Sequence, residues 1–255
     1  MPDFLKIELY ITYAILGLLV GSFLNVCIYR LPRGKFLDNT RSYCPHCMTT
    51  LRWYELFPLF SYIFLKGRCR TCKEKISIRY PIVEVTNMIM WMLAMWLYRD
   101  NIPYAILISV FFSILIVMSM IDIDIKEIPN GIVIAILILG IISFFMKDGI
   151  EWWEKLIGLF AMSVPFLIIG IITGGLGGGD IKILFAAGLL LGWKLIILGG
   201  LIGVIIGGIL GIVLIIVKHA GRKTEMPLGP SLAAGFAIAL LFGPSLLNWY
   251  MSLFA

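Results

Sequence analysis

The chain is 255 residues long, 60% hydrophobic and only 14% charged. A soluble domain of this size carries charge on about a quarter of its residues, so a water-soluble fold is excluded and an all-α polytopic membrane protein is expected. The net charge of +6 would suit nucleic acid, but eleven of the 21 Lys and Arg fall between Arg30 and Arg79, against three acids (Asp38, Glu55, Glu74). Basic residues gathered in one short inter-helix stretch mark a cytoplasmic loop, and no nucleic-acid partner is expected.

The first apolar run, Leu9 to Tyr29, is long enough to span the bilayer and lacks a small-residue cleavage site, so it is expected to stay in the mature protein as a first transmembrane segment (1–30). Ser22 and Asn25 lie three apart on one helical face, where hydrogen bonding to another helix is the expected role. Cys27 reads as a buried thiol. Residues 31–80 form the only polar segment. Further apolar runs near 81–98, 103–121, 131–146, 155–173, 181–192, 195–217 and 231–250 make about eight transmembrane helices in all, with 81–255 as the membrane core.

An N-terminus outside sorts the charges consistently. Lys126, Lys182, Lys218, Arg222 and Lys223 then join the eleven of the loop inside, leaving Lys6, Arg99, Lys147, Lys155 and Lys194 outside. The run 181–192 would span only about 18 Å, short of a hydrocarbon core of about 30 Å. A short helix with Trp193 and Lys194 reaching the interface fits the charge bias better than a re-entrant hairpin; Trp152 and Trp153 read as belt aromatics. Gly199, Gly203, Gly207 and Gly211 line one helix face for close packing. Pro227-Leu228-Gly229-Pro230 breaks the chain, and Gly243-Pro244 should kink the last helix or end it early.

Inside the polar segment, Cys44-Pro45-His46-Cys47 and Cys69-Arg70-Thr71-Cys72 form two Cys-x-x-Cys knuckles. Four thiolates at this spacing suit one structural, tetrahedral Zn2+, since a cytoplasmic loop stays reduced and disulfides are disfavoured there. His46 reads as a turn residue. A closed four-cysteine site has no open position for catalysis, so the metal is expected to fold the loop, a small zinc-binding cytoplasmic domain between helices 1 and 2.

Chemistry is expected elsewhere, at two acidic stretches that interrupt long apolar sequence. One is Ile121-Asp122-Ile123-Asp124-Ile125-Lys126-Glu127-Ile128-Pro129-Asn130; the other is Gly174-Gly175-Leu176-Gly177-Gly178-Gly179-Asp180-Ile181-Lys182. Acids at the edge of a membrane segment are costly and are functional-site candidates. The glycines suit a close approach of backbone, and their spacing fits no nucleotide-binding loop. In the topology above both stretches lie at cytoplasmic helix ends. Two carboxylates meeting there could act on a peptide bond, one as general base toward water and the other as acid toward the leaving amine. The residues alone leave Asp122, Asp124 and Glu127 open as partners for Asp180, although Asp124 points away from Asp122 on a continued helix.

Taken together, Gly21–Pro32, the two knuckles, Arg79-Tyr80-Pro81 with Glu84, the Asp122…Ile128-Pro129-Asn130 stretch, Gly177–Lys182 and Pro227–Pro230 resemble the bifunctional type IV prepilin peptidases, in order and over nearly the whole chain. That resemblance implies Asp122, seven residues before the Pro of Ile-Pro-Asn, and Asp180 in Gly-x-Gly-Asp as the catalytic pair. It also implies a prepilin or pseudopilin substrate, cleavage on the cytoplasmic side of a bacterial inner membrane, and methylation of the new N-terminus with S-adenosylmethionine. Methylation would belong to the loop region, with Gly67, Arg68 and Glu84 as candidate cofactor contacts. Asn130 stands where other members have Asp. A carboxylate-coupled transporter would not need the zinc loop and would show internal repeats; presenilin-like proteases generally carry Tyr before the first aspartate, where Ile121 stands here.

Overall fold

In the computed structural model residues 3–34, 41–175, 177–218 and 226–253 are described. Leu176 of the glycine-rich stretch and the basic Arg222 and Lys223 lie outside them. Nine α-helices account for most of the described residues: α1 (Asp3–Arg30), α2 (Phe60–Phe64), α3 (Arg79–Leu97), α4 (Ile102–Ile125), α5 (Asn130–Ser143), α6 (Trp152–Ala161), α7 (Ser163–Thr173), α8 (Gly178–Lys218) and α9 (Gly229–Ser252). The chain divides into two compact units, Met1–Arg99 and Asp100–Ala255.

Among the described residues six helical spans are long and apolar enough to cross a membrane, against about eight expected. Two features account for the difference. Helix α5 has only 14 residues, and the expected runs 181–192 and 195–217 are joined in α8, broken at Gly192 (φ 69°, ψ 169°). The glycine takes backbone dihedrals closed to other residues, so a short first segment and a longer second one follow each other without a connecting loop. Conversely, the run 155–173 is interrupted at Met162 between α6 and α7. Pro165 has no N–H for the carbonyl of Ala161, which weakens the helix at that point. Helix α9 runs on through Pro244 to Ser252 and does not end early.

In the first unit, α1 and α3 pack through glycines. A Cβ at Gly17 or Gly21 would stand 2.8 Å from the Cα of Met88 or Glu84. With backbones so close, polar side chains reach across. The amide of Asn87, fully buried, donates to the Gly17 carbonyl at 2.7 Å, and Asn25 donates to the Tyr80 carbonyl at 3.3 Å. Ser22 lies close enough to Glu84 to act on its carboxylate. Asn25 thus serves interhelical bonding, the role its spacing with Ser22 implied.

In the second unit α8 is the centre, packed by α5, α6, α7 and α9. Its first segment carries small and branched side chains (Ile183, Leu184, Ala186, Ala187, Leu190) that are fully buried, as are Phe111 and Phe112 of α4, Ile136 of α5 and Phe236 of α9. The glycine stripe of its second segment seats α9: Gly199 faces Phe236 and Ala239, Gly203 faces Leu232, and Gly207 faces Leu228 and Ser231. These pairs run antiparallel and bring the start of α9 back toward one end of the bundle.

One ion pair braces α8 just after the break at Gly192, and a second network pins the connection between α5 and α6. Lys194 meets Glu154 at 2.7 Å. Lys155, 1% exposed, donates to Asp148 at 2.6 Å and to the Ser143 carbonyl and hydroxyl at 2.7 and 3.0 Å. Removing one member of a buried pair leaves the other charge uncompensated, at a cost of about 3–5 kcal/mol. Lys155→Met is therefore expected to lower the thermal unfolding midpoint in detergent markedly, and an unchanged midpoint would remove this network from the stability of the fold.

Candidate active site and metal centre

The two acids expected to matter are both buried where membrane helices end. Helix α4 stops at Ile125 because Lys126 adopts a left-handed conformation (φ 57°), its N–H returning to the Asp122 carbonyl at 2.9 Å. Asp122, one turn earlier, faces inward with Met118 and Ile121 and is 4% exposed. Asp124 and Glu127 are exposed. Side chains two apart on a helix face different directions, so the structure sets Asp122 apart from its neighbours, a distinction the residues alone left open.

The glycine-rich stretch does two separate jobs. Gly174 (φ 63°) caps α7 in the left-handed conformation, with its N–H on the Gly170 carbonyl at 2.9 Å. After it, α8 starts at Gly178 with Asp180 in its first turn, 8% exposed. A Cβ at Gly177 would stand 3.1 Å from Asp180 Oδ2, and one at Gly179 would press on Ile128 at 3.2 Å. Glycine thus lets the Ile128-Pro129-Asn130 turn lie directly against the start of α8. Lys182 Nζ completes the junction, donating to Asn130 Oδ1 at 3.0 Å.

A third segment closes the site. The N–H of Gly229, the first residue of α9, donates to Asp122 Oδ2 at 2.7 Å. Helix N-termini carry unsatisfied N–H groups and partial positive charge, and here the starts of α8 and α9 are each given a carboxylate. A Cβ on Gly229 would itself fall 2.7 Å from Asp122 Oδ2. Asp122 and Asp180 are near enough for the charge of one to act on the other. Sequence reasoning takes Pro227–Pro230 as a break and as one of the stretches that carry the family resemblance, and misses this contact. The available signal was a glycine directly before Pro230 at a helix start, a bare N–H with no side chain to shield it.

The metal-type cluster lies in the first unit. The Sγ atoms of Cys44, Cys47, Cys69 and Cys72 all lie within 4.8 Å of one another, and all five cysteines of the chain are free thiols. The two knuckles repeat one geometry. Met48 N–H bonds the Cys44 carbonyl at 2.9 Å and Lys73 N–H bonds the Cys69 carbonyl at 3.0 Å. Met48 and Lys73 take left-handed φ of 57° and 62°, and each knuckle is closed by one β-bridge, Tyr43 with Thr50 and Arg68 with Lys75. The Cys44–Cys72 and Cys47–Cys69 sulfurs are 3.9 and 4.0 Å apart. A tetrahedron of thiolates at about 2.3 Å from a metal has an edge of about 3.8 Å, so the donor set fits a four-coordinate ion. Cys47 Sγ hydrogen-bonds Thr49 Oγ1 at 3.4 Å, and Thr49 draws the Cys47 thiol down to about 6. At Cys72 the Glu74 backbone hydrogen bond is outweighed by burial and the other three thiols, which push that thiol up, so the four do not titrate alike without a metal. His46 is exposed in the turn and outside the cluster.

The candidate cofactor residues have local roles. Gly67 (φ 66°) forms a turn, bonding the Tyr62 carbonyl and receiving the Ile76 N–H, both at 2.8 Å. Glu84, 7% exposed, accepts the Leu59 N–H at 2.7 Å. Arg68 is exposed on a cleft that it lines with Leu65, Lys66, Cys69, Arg70 and Lys73.

Comparison with known proteins follows the same division. The profile described as Bacterial Peptidase A24 N-terminal domain matches residues 15–98, and that described as Type IV leader peptidase family matches residues 109–212. A Pseudomonas putida protein named prepilin leader peptidase/N-methyltransferase is 34% identical over 273 residues, covering 92% of this chain and 91% of its own. The chain belongs to the type IV leader peptidase family. Relatives of the same name in Bacillus subtilis (32% identical; 94% of this chain, 96% of theirs) and Vibrio cholerae (34%; 89% and 94%) align at similar extent. No solved structure matches. Within the family the two matched regions correspond to the two compact units, so the four-cysteine cluster and the carboxylate pair fall in separately matched parts of the chain.

Cys44→Ser is expected to lower the metal content of the purified protein to a small fraction and to open the loop to trypsin. Unchanged metal content would refute a four-cysteine site.

Proposed function

We propose that this leader peptidase uses Asp122 and Asp180 as its catalytic pair. By family it is an aspartic peptidase of the membrane with N-methyltransferase activity, acting on prepilin-type substrates; the transporter and presenilin-like alternatives lose their ground. The observation that carries the catalytic assignment is the convergence of two buried carboxylates at the starts of α8 and α9, with Gly229 N–H holding one oxygen of Asp122.

The chemistry follows from that arrangement. Gly229 engages Oδ2 of Asp122 and leaves the other oxygen for a water. Two adjacent carboxylates hold a single proton between them and titrate as a pair. The ionised member takes a proton from the water as its oxygen attacks the scissile carbonyl carbon. The protonated member donates to the carbonyl oxygen; when the resulting diol collapses it takes that proton back, and the proton drawn from water passes to the nitrogen of the leaving amine. Burial keeps bulk water from competing for these transfers. The active site faces the cytoplasm of a bacterial inner membrane, where the basic leader of a prepilin or pseudopilin would meet it, in agreement with the charge bias of the connections.

The loop 31–80 carries Zn2+ on Cys44, Cys47, Cys69 and Cys72 as a structural ion. In this reading the loop also supports methyl transfer from S-adenosylmethionine to the new N-terminal amine. Gly67, Arg68 and Glu84 remain candidates for that cofactor; Gly67 and Glu84 would act through the loop geometry they maintain.

Asp122→Asn and Asp180→Asn are each expected to abolish cleavage of a synthetic prepilin in detergent while leaving methylation of pre-cut pilin intact; full cleavage by either variant refutes the pair. Gly229→Ala should push the Asp122 carboxylate aside and lower kcat by about 100-fold, the scale of a misplacement near 1 Å. Wild-type kcat in Gly229→Ala would show that the N–H contact does not position the acid.

A further inference from the structure

We infer that residues 53–64 of the zinc loop are a membrane-surface anchor that lies in the anionic cytoplasmic leaflet and holds the loop against it. Helix α2 presents Phe60, Ile63 and Phe64 at positions i, i+3 and i+4, one face of a helix. These side chains are 55, 59 and 81% exposed. The ridge continues toward the N-terminus through Phe57, 50% exposed, against which Trp53, 75% exposed, packs at 6.1 Å between ring centroids. The opposite face is used inward: Tyr62 packs on Gly67 and its hydroxyl donates to the Ile76 carbonyl at 3.5 Å.

Depth distinguishes this ridge from an ordinary exposed apolar patch. The Leu59 N–H, at the base of α2, is bonded to Glu84. That residue lies five positions into α3, about 7.5 Å along the helix from Arg79, and its side chain leans back toward the helix start. The segment therefore sits beside the first two turns of a 19-residue membrane helix, which at about 28 Å only just matches the hydrocarbon core. That level is the headgroup–acyl boundary, where amphipathic helices with aromatic faces insert about 5–10 Å. Pro58 is buried and Leu59 half-buried between the exposed phenylalanines, so the chain dips to this level and returns.

Charge complements the apolar ridge. Directly after α2, Lys66, Arg68, Arg70 and Lys73 line one cleft, and Arg70 is braced by Glu55 at 2.9 Å. Burial would raise the Glu55 carboxyl, but the Arg52 N–H and the Arg70 guanidinium outweigh it and hold it below the usual carboxylate range. An apolar ridge with basic groups beside it is the chemistry that recognises acidic phospholipid headgroups.

The test uses the full-length protein in nanodiscs of phosphatidylcholine, with or without phosphatidylglycerol, carrying acyl chains brominated near the headgroup. Phe64→Trp adds one tryptophan to the seven present, read by difference from wild type, with metal content and prepilin cleavage checking the fold and the peptidase reading independently. The added emission should be strongly quenched, more so with phosphatidylglycerol, and Lys66→Glu with Lys73→Glu should abolish that lipid dependence. Absence of quenching overturns the anchor. So does quenching that is equal in neutral and acidic lipid, or that disappears when a prepilin binds, which would make the ridge a substrate surface. Should Phe64→Trp lose its metal, the same measurement is made on Trp53 as the difference between wild type and Trp53→Phe.

Discussion

A backbone N–H at the start of one membrane helix, given to a carboxylate at the end of another, closes the acidic end of the second unit. Gly229 can make that bond only because α9 approaches α8 along a groove of glycines and because no side chain stands between its nitrogen and Asp122. The geometry satisfies two needs together. It supplies a partner for an acid removed from water, and it occupies one of the N–H groups that every helix start leaves over. Asp180 lies in the first turn of α8, close enough to Asp122 for their charges to interact. The proposed dyad is thus assembled from helix ends, the parts of a membrane helix that carry unpaired polar groups.

Small residues do related work throughout. Glycines 17 and 21 bring α1 against α3 closely enough for Asn87 and Asn25 to reach backbone carbonyls across the interface. The stripe from Gly199 to Gly207 does the same for α8 and α9. Where apolar lipid offers no hydrophobic drive between helices, close packing and interhelical hydrogen bonds remain. The loop relies on different forces: two matching knuckles of four thiols and a buried Glu84 that binds Leu59.

Much of the candidate site was legible in advance because membrane sequence makes exceptions conspicuous. An Asp among long apolar runs, a run of glycines before another Asp, and paired Cys-x-x-Cys stand out from their surroundings. The number of spans was less legible. Hydropathy separates runs 181–192 and 195–217, while the structure joins them through Gly192, whose left-handed φ sustains a break without a polar connector. It also predicts one helix over 155–173, where a turn at Met162 divides α6 from α7.

By itself the sequence determined the class of molecule, the apolar segments and the residue types able to bind a metal or move a proton, since these follow from composition and spacing along the chain. Tertiary structure decided which acid of the Asp122–Glu127 cluster turns inward, that Gly229 meets it, and that Leu59 is tied to Glu84. Those facts depend on contacts between residues 25 to 107 positions apart. No local pattern encodes such a contact, because it arises only when separate helices pack and their buried polar groups must find each other.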